Sequence, residues 1–293
     1  MVTTFIIDGL KKAKKLKLEI TQEVQALDVK PGLAVVRVGD DPASQIYVEK
    51  KGQDAHEVGF YFEEHALPKT ASQEDVLQVI QRLNQDPRIH GLILQLPLPK
   101  HLDPFALVSA IDPKKDVDGL HPFNAGLLAQ GRNEGMVPCT PLGCVHLIKT
   151  VTPHLAGMRA VVVGRSILVG RPLALLLTQE NATVTLAHSQ TQDLPKLLND
   201  ADLVIAAMGK PNFIQGHWLK KEAIVIDVGI NRITLPDGQS QLTGDVNFES
   251  CLARVRAITP VPGGVGPMTR IYLLKNTLRA MEHLKSWRIH PTF

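Results

Sequence analysis

Three side chains near the N-terminus share a helical spacing. Ser44, Tyr47 and Lys51 stand at i, i+3 and i+7, so they project from one face if the segment after Pro42 is a helix. A tyrosine beside a lysine suits chemistry on a flat, electron-rich ligand. The ring stacks, and the amine serves as acid or base where partial burial lowers its pKa. Taken alone, the same pattern is more often an amphipathic helix with a surface lysine. Gln95 closes the apolar run 91–94. A lone polar residue at the C-terminal end of a buried strand is where open α/β sheets gather ligands; a satisfied buried amide is the alternative. Asp118 sits beside Asp116 in a loop with Gly119. A carboxylate accepts two parallel hydrogen bonds from an amino-pyrimidine edge, although a solvated turn aspartate is the default for either residue.

A second constellation lies further along. Val161-Val-Val-Gly164-Arg-Ser-Ile-Leu-Val-Gly170-Arg-Pro172 falls where a strand turns into a helix. Glycine permits the tight turn, and the helix N-terminus stabilises a pyrophosphate. The dinucleotide fingerprint is G-x-G-x-x-G. Here Ser166 replaces its second glycine, and Gly170 lies six residues after Gly164. By itself the signal is hardly stronger than that of a structural turn. The following strand ends in Ala187-His188-Ser189, without the acidic residue that binds a ribose 2′-hydroxyl. Arg165 and Ser189 suit a 2′-phosphate instead, which favours NADP over NAD; the bland reading makes Arg165 and His188 solvated loop residues. Near the C-terminus, Thr259-Pro-Val-Pro-Gly-Gly-Val-Gly-Pro-Met-Thr269 combines rigidity with bare backbone. Such a segment can line a ligand closely, or it is a plain loop-to-helix connection with Pro267 at the first helical position.

The elements that must position these residues alternate. Helical patterns at about 9–27, 42–59 and 72–84 separate strand-like runs at 33–38, 60–65 and 91–95. This spacing implies right-handed crossovers and a largely parallel sheet. A turn-rich loop covers 112–122, and Thr140-Pro141 reads as an N-cap and first helical residue at a domain boundary. Strand-like runs at 160–163, 183–186, 203–206 and 223–227 then alternate with helices starting near Gly170 and Asp193, the signature of a doubly wound nucleotide-binding domain. A final helix spans about 267–286. The expected fold class is α/β with two domains: an N-terminal α/β catalytic domain, 1–138, completed by the C-terminal helix 270–293, and a Rossmann-type domain, 139–269, with a cleft between them.

Composition excludes several classes. The 293 residues suit two ordinary domains, and 32 basic against 29 acidic residues leave a net charge of +3. That balance shows no pull toward nucleic acid. No apolar stretch is long enough to span a bilayer, and Asp8 follows the short apolar run 5–7 too closely for a signal core. Cys139, Cys144 and Cys251 are odd in number and lack metal-site spacing, which argues against disulfides and zinc and for a reducing, cytoplasmic compartment.

In combination the motifs are specific where each alone is not. Asp41-Pro-Ala-Ser-Gln-Ile-Tyr47 with Lys51, Leu94-Gln-Leu-Pro-Leu-Pro99, Lys115-Asp-Val-Asp-Gly119, Pro138-Cys-Thr-Pro141, the Gly164–Pro172 turn, Asp227-Val-Gly-Ile-Asn231 and the 259–269 segment occur in this order. Together they resemble the bifunctional methylenetetrahydrofolate dehydrogenase/methenyltetrahydrofolate cyclohydrolase family over nearly the whole chain. The resemblance implies that Lys51 is the catalytic lysine, that Gln95 positions it, that Tyr47 stacks on the folate and that Asp118 holds the pterin edge. It implies that Ser44, Leu94, Leu96, Pro260, Pro262, Gly263 and Gly264 border the substrate, and that Gly164, Arg165, Ser166, Ser189 and Ile230 contact NADP. It further implies a tetrahydrofolate substrate, no metal, and a homodimer. One departure stands out: family members often carry a basic residue two positions after the catalytic lysine, and here that position is Gln53, preceded by Gly52. Other readings remain open. They are a dehydrogenase without cyclohydrolase activity, a non-catalytic folate- and NADP-binding homologue, and a different NADP oxidoreductase of the shikimate type.

Overall fold

The computed structural model describes residues 3–234 and 238–289. It divides into two compact units, one of Met1–Ala13 with Thr140–Thr269 and the other of Lys14–Cys139 with Arg270–Phe293. In chain order the first elements are β1 (Phe5–Ile6), α1 (Gly9–Gln25), β2 (Gly32–Val38), α2 (Pro42–Glu57), β3 (Tyr61–Leu67), α3 (Gln73–Gln85), β4 (Gly91–Leu94), α4 (Pro104–Ser109) and α5 (Pro122–Ala129).

The unit that holds Lys51 is built on a three-stranded parallel sheet in the order β3-β2-β4. Its central strand is a nearly unbroken apolar run, because a parallel strand covered on both faces has no water-facing side. Asp41 starts α2 by accepting from the Ser44 amide at 2.8 Å, with Pro42 just inside the helix. Ser72 and Asp75 form a capping box at α3, which lays Val76, Ile80 and Leu83 into a core with Ala34, Val36 and Leu92. The polar loop expected after β4 runs alongside that strand: the Leu92 amide donates to Lys115 O at 2.7 Å, and Leu92 bridges Asp116. Two short helices, α4 and α5, lie in stretches that carry no periodic signal. Each begins at a proline behind a capping side chain, Asp103 or His121.

The other unit contains α6 (Cys139–Lys149), β5 (Arg159–Val163), α7 (Gly170–Gln179), β6 (Thr183–Ala187), α8 (Leu194–Asn199), β7 (Leu203–Ala206), β8 (Ile224–Asp227), β9 (Asn231–Thr234), β10 (Ser240–Thr243), α9 (Phe248–Cys251), β11 (Ala257–Ile258) and the start of α10 (Val265–Ile289). Six of its strands form a parallel sheet in the order β1-β11-β8-β7-β5-β6, and β9 and β10 pair antiparallel apart from it. Strand order reverses at β5, whose neighbours are β6 and β7, so this doubly wound sheet has its switch point at the C-terminal ends of β5 and β7.

Several expectations need correction. The segment before Ala13 belongs with this second unit and not with the Lys51 unit. Phe5 N donates to Arg256 O at 2.9 Å and Ile7 N to Ile258 O at 2.8 Å, while Ile7 is buried. A two-residue strand is too short to show alternation, so the sequence hid both β1 and β11. The β9–β10 hairpin was also unmarked; its connecting residues 235–237, like the last four of the expected C-terminal helix 270–293, lie outside the described residues. Thr140 and Pro141 sit inside the first turn of α6, because the helix opens at Cys139, and Pro267 is the third residue of α10. Among the described residues, no helix is long and apolar enough to cross a membrane.

Candidate active site

The lysine on α2 meets the glutamine after β4. Lys51 Nζ donates to Gln95 Oε1 at 3.0 Å. Gln95 Nε2 donates to Leu96 O at 2.7 Å, and that bond turns the carboxamide oxygen toward the lysine. The Gln95 amide continues the sheet by donating to Val36 O at 2.8 Å. A half-buried amine is therefore held in place by a neutral acceptor on a rigid strand end, with no countercharge spent on it. On the same helix Ser44 is buried under the N-terminus, and the Tyr47 ring is 45% exposed. Leu94 is buried and Leu96 half-buried on either side of Gln95.

The departure at residues 52 and 53 has a packing cause on one side. A Cβ at Gly52 would lie 2.8 Å from Phe62 Cε1 and 3.2 Å from its Cζ. The ring of β3 thus fills the space a side chain would need, and α2 approaches the sheet closely where Lys51 leaves it. Gln53 is exposed; nothing in the structure explains it. The next residue, Asp54, is buried between two cations, Lys17 Nζ at 2.6 Å and Arg270 Nε at 2.8 Å.

Asp118 is half-buried at the turn Asp116–Gly119. Among the described residues its carboxylate has no hydrogen-bond or ion-pair partner. Its neighbour Asp116 is the opposite case: fully buried, it accepts from the His121 amide at 2.8 Å and from Asn124 Nδ2 at 2.9 Å. Burial pushes the Asp116 carboxyl above its ordinary value against those bonds, and the charge of Asp118 adds to the rise. Cys139 is also buried. Burial drives its thiol well up, Asp118 adds to the rise and Lys51 opposes it, so the electrostatic influence of both side chains reaches this sulfur. The lone expected acid of this loop, Asp118, is the one left uncommitted.

The second unit carries the other expected residues. Gly164 closes β5 with φ +127°, and a Cβ there would lie 2.0 Å from Ala207 O. Only glycine fits that turn. Ser166, standing where the fingerprint has a glycine, accepts from the Val169 amide through Oγ at 3.1 Å within the turn that leads into α7. Arg165 and Ser166 are exposed, as is Ser189 past the end of β6. His188 turns back on its own loop, where Nδ1 accepts from the Gln190 amide at 3.2 Å. An exposed guanidinium, the exposed Ser189 hydroxyl and a glycine turn at the switch point, with no acid ending β6, fit a 2′-phosphorylated dinucleotide. Ile230 is 51% exposed beyond β8. In the 259–264 segment Thr259 and Gly264 are buried and Pro262 is exposed, while Pro260 and Gly263 are half-buried. Gly263 O accepts from the Leu10 amide at 2.9 Å.

Two buried residues escaped the sequence reading. Asp245 accepts from the amides of Met208, Gly209 and Lys210 at 2.7–2.9 Å and from Asn231 Nδ2 at 2.8 Å, tying together the loops after β7 and β8. Asn276 on α10 donates to Val117 O at 2.8 Å and Val137 O at 2.9 Å. Neither belongs to a motif with chemical spacing, so no local signal marked them.

Comparison with known proteins bears on both units. Residues 7–118 match the family model of the tetrahydrofolate dehydrogenase/cyclohydrolase catalytic domain, and residues 138–285 match that of its NAD(P)-binding domain. The chain is 54% identical to the bifunctional protein FolD of Bradyrhizobium diazoefficiens over 283 residues, 95% of this chain and 96% of that one. It is 52% identical to that of Paramagnetospirillum magneticum, covering 97% of each. Among solved structures, the bifunctional FolD enzyme of Campylobacter jejuni superposes with a TM-score of 0.92 at 40% identity, covering 96% of this chain and 99% of that one. The Trypanosoma brucei enzyme, solved with NADP cofactor and inhibitor, gives 0.92 at 39% identity, covering 97% and 99%.

Proposed function

The chain belongs to the tetrahydrofolate dehydrogenase/cyclohydrolase family, and from that premise we propose how its residues divide the work. It is an NADP-dependent oxidoreductase and a hydrolase of one-carbon folate metabolism: 5,10-methylenetetrahydrofolate is oxidised to 5,10-methenyltetrahydrofolate, which is hydrolysed to 10-formyltetrahydrofolate. The shikimate-type alternative is thereby set aside.

The folate is assigned to Lys51, Tyr47, Gln95 and Asp118, with Ser44, Leu94, Leu96 and the 260–264 segment bordering it. Tyr47 offers an exposed ring for stacking, and the uncommitted Asp118 carboxylate suits the two N–H donors of an amino-pyrimidine edge. NADP supplies the acceptor for the oxidative step. Gly164, Arg165, Ser166, Ser189 and Ile230 are the residues that would hold it, Arg165 and Ser189 taking the 2′-phosphate.

The contact that carries this reading is Lys51 Nζ to Gln95 Oε1. In the hydrolytic step a water oxygen bonds to the methenyl carbon and passes one proton to the Lys51 amine. The carbinol then becomes a formyl carbonyl by losing its remaining proton to solvent. The bond from carbon to N5 breaks, and N5 takes the proton from Lys51. Gln95 orients the amine without adding a charge that would hold it protonated.

The test is the variant Lys51→Met. NADP reduction with methylenetetrahydrofolate and decay of the methenyl absorbance are followed separately. Methenyl decay should fall to the uncatalysed rate, while the variant keeps its cooperative unfolding. Undiminished turnover would reject the role of Lys51. Wild-type protein that reduces NADP without accelerating methenyl decay would be a dehydrogenase alone.

We further infer a cytoplasmic homodimer. The three cysteines are free and buried, which suits a reducing compartment. Strand β3 ends its sheet with an unpaired edge among the described residues, a place where a second copy can add. Sedimentation equilibrium should return twice the chain mass, and a monomer at micromolar concentration counts against it.

A further inference from the structure

Buried polar side chains on an apolar helix face need a reason, because an amide buried without a partner loses its hydration and gains nothing in return. Asn276 and Thr277 are both buried on α10 among Leu273, Leu274 and Leu278. Thr277 is satisfied within its own helix, donating to Leu273 O at 2.9 Å. Asn276 instead spends both amide protons off the helix, on Val117 O and Val137 O, and its Nδ2 lies 3.5 Å from Cys139 Sγ. Two carbonyl acceptors fix which end of the carboxamide faces them.

Both carbonyls belong to the backbone that frames Asp118. Val117 precedes it directly, and the Cys139 thiol donates to the same Val117 O at 3.3 Å. Across the turn, Gly119 adopts φ +70°, and a Cβ there would lie 2.6 Å from Pro138 N and from Val137 C. On the far side Asn124 holds Asp116 through Nδ2 and accepts the Met136 amide at 3.1 Å. The segments 116–119 and 136–139 are thus clamped together by buried amides, and among the described residues Asp118 is the polar side chain of these segments with no hydrogen-bond or ion-pair partner.

We propose that Asn276 is a positioning residue for Asp118, setting from the C-terminal helix where that carboxylate meets the edge of the pterin. The inference rests on the assignment of Asp118 to folate. It predicts an effect on one substrate. Asn276→Ala should raise KM for methylenetetrahydrofolate about tenfold, with KM for NADP unchanged within about twofold at saturating folate.

A double-mutant cycle with Asp118→Asn separates positioning from bulk stability. In the Asp118→Asn background, adding Asn276→Ala should change the folate KM by less than about twofold, while its drop in Tm is the same in both backgrounds. If Asp118→Asn by itself leaves folate KM unchanged, the assignment of Asp118 fails and the inference falls with it. If Asp118→Asn impairs folate binding but the Asn276 penalty multiplies undiminished, or if Asn276→Ala has no effect on folate KM, the positioning role alone is overturned. Should the alanine variant fail to fold, Asn276→Ser retains one donor in a smaller side chain and is read through the same cycle.

Discussion

A single amide oxygen defines how Lys51 is presented, so the sharpest residue-scale prediction concerns Gln95. Gln95→Leu keeps the side-chain bulk but removes the acceptor 3.0 Å from Nζ. Methenyl hydrolysis should fall by about tenfold to a hundredfold, with a smaller loss in NADP reduction. Equal losses in both would mean that Gln95 serves the substrate and not the lysine. Arg165 and Ser189, to which we assign the choice of cofactor, are both exposed where β5 and β6 end. Ser189→Asp places a carboxylate where we propose that the 2′-phosphate binds. KM for NADP should rise about tenfold while KM for NAD changes little, and a parallel rise in both would place the 2′-phosphate elsewhere.

Among the elements, α2 sets two opposed effects against each other. Alanine at position 52 would gain about 0.5–1 kcal/mol of helix propensity over glycine. The added Cβ would however meet the Phe62 ring at 2.8 Å, and overpacking costs about 1–3 kcal/mol. Gly52→Ala should therefore lower Tm, and Gly52→Ala with Phe62→Leu should recover part of the loss. Core truncation gives a plainer case: Ile80→Ala on α3 opens a cavity against Val36 and Leu92 and should cost about 2–5 kcal/mol in denaturant unfolding.

The same scale shows what the sequence could reveal. The apolar run of β2 declares itself because burial on both faces demands apolar residues along its length. Lys51 and Gln95 were each marked locally, by helical spacing and by strand position, but only the resemblance to the family paired them. The strands β1 and β11 were not, since two residues carry no period. Nor was Asn276, whose partners lie 159 and 139 positions away and whose own helix gives no hint of them.

For the whole molecule, pH dependence follows from buried carboxyls. Asp227 is buried and accepts from three backbone amides, those of Gly229, Asp245 and Val246. Burial nonetheless pushes it up to about 6, with the charge of Asp245 contributing. Folding thus favours its protonated form, so its contribution to stability is present at low pH and declines as pH rises from about 4 to about 6. The difference in unfolding free energy between the wild type and Asp227→Asn should change across that window and level off above it. A difference that is flat with pH would show that Asp227 titrates at its ordinary value.

One feature of the sheet acquires meaning on the ribosome. Thr4 Oγ1 donates to Val255 O at 2.8 Å, 251 positions away, and among the described residues β1 beside it has β11 as its sole strand partner. Strand β1 therefore waits for this partner until β11 has emerged. Contacts of such separation slow folding and leave an edge open to chaperones or to neighbouring nascent chains in the interval. During translation the Lys51 unit likewise lacks Asn276 until α10 emerges, 159 positions after Val117, so the clamp beside Asp118 closes only then.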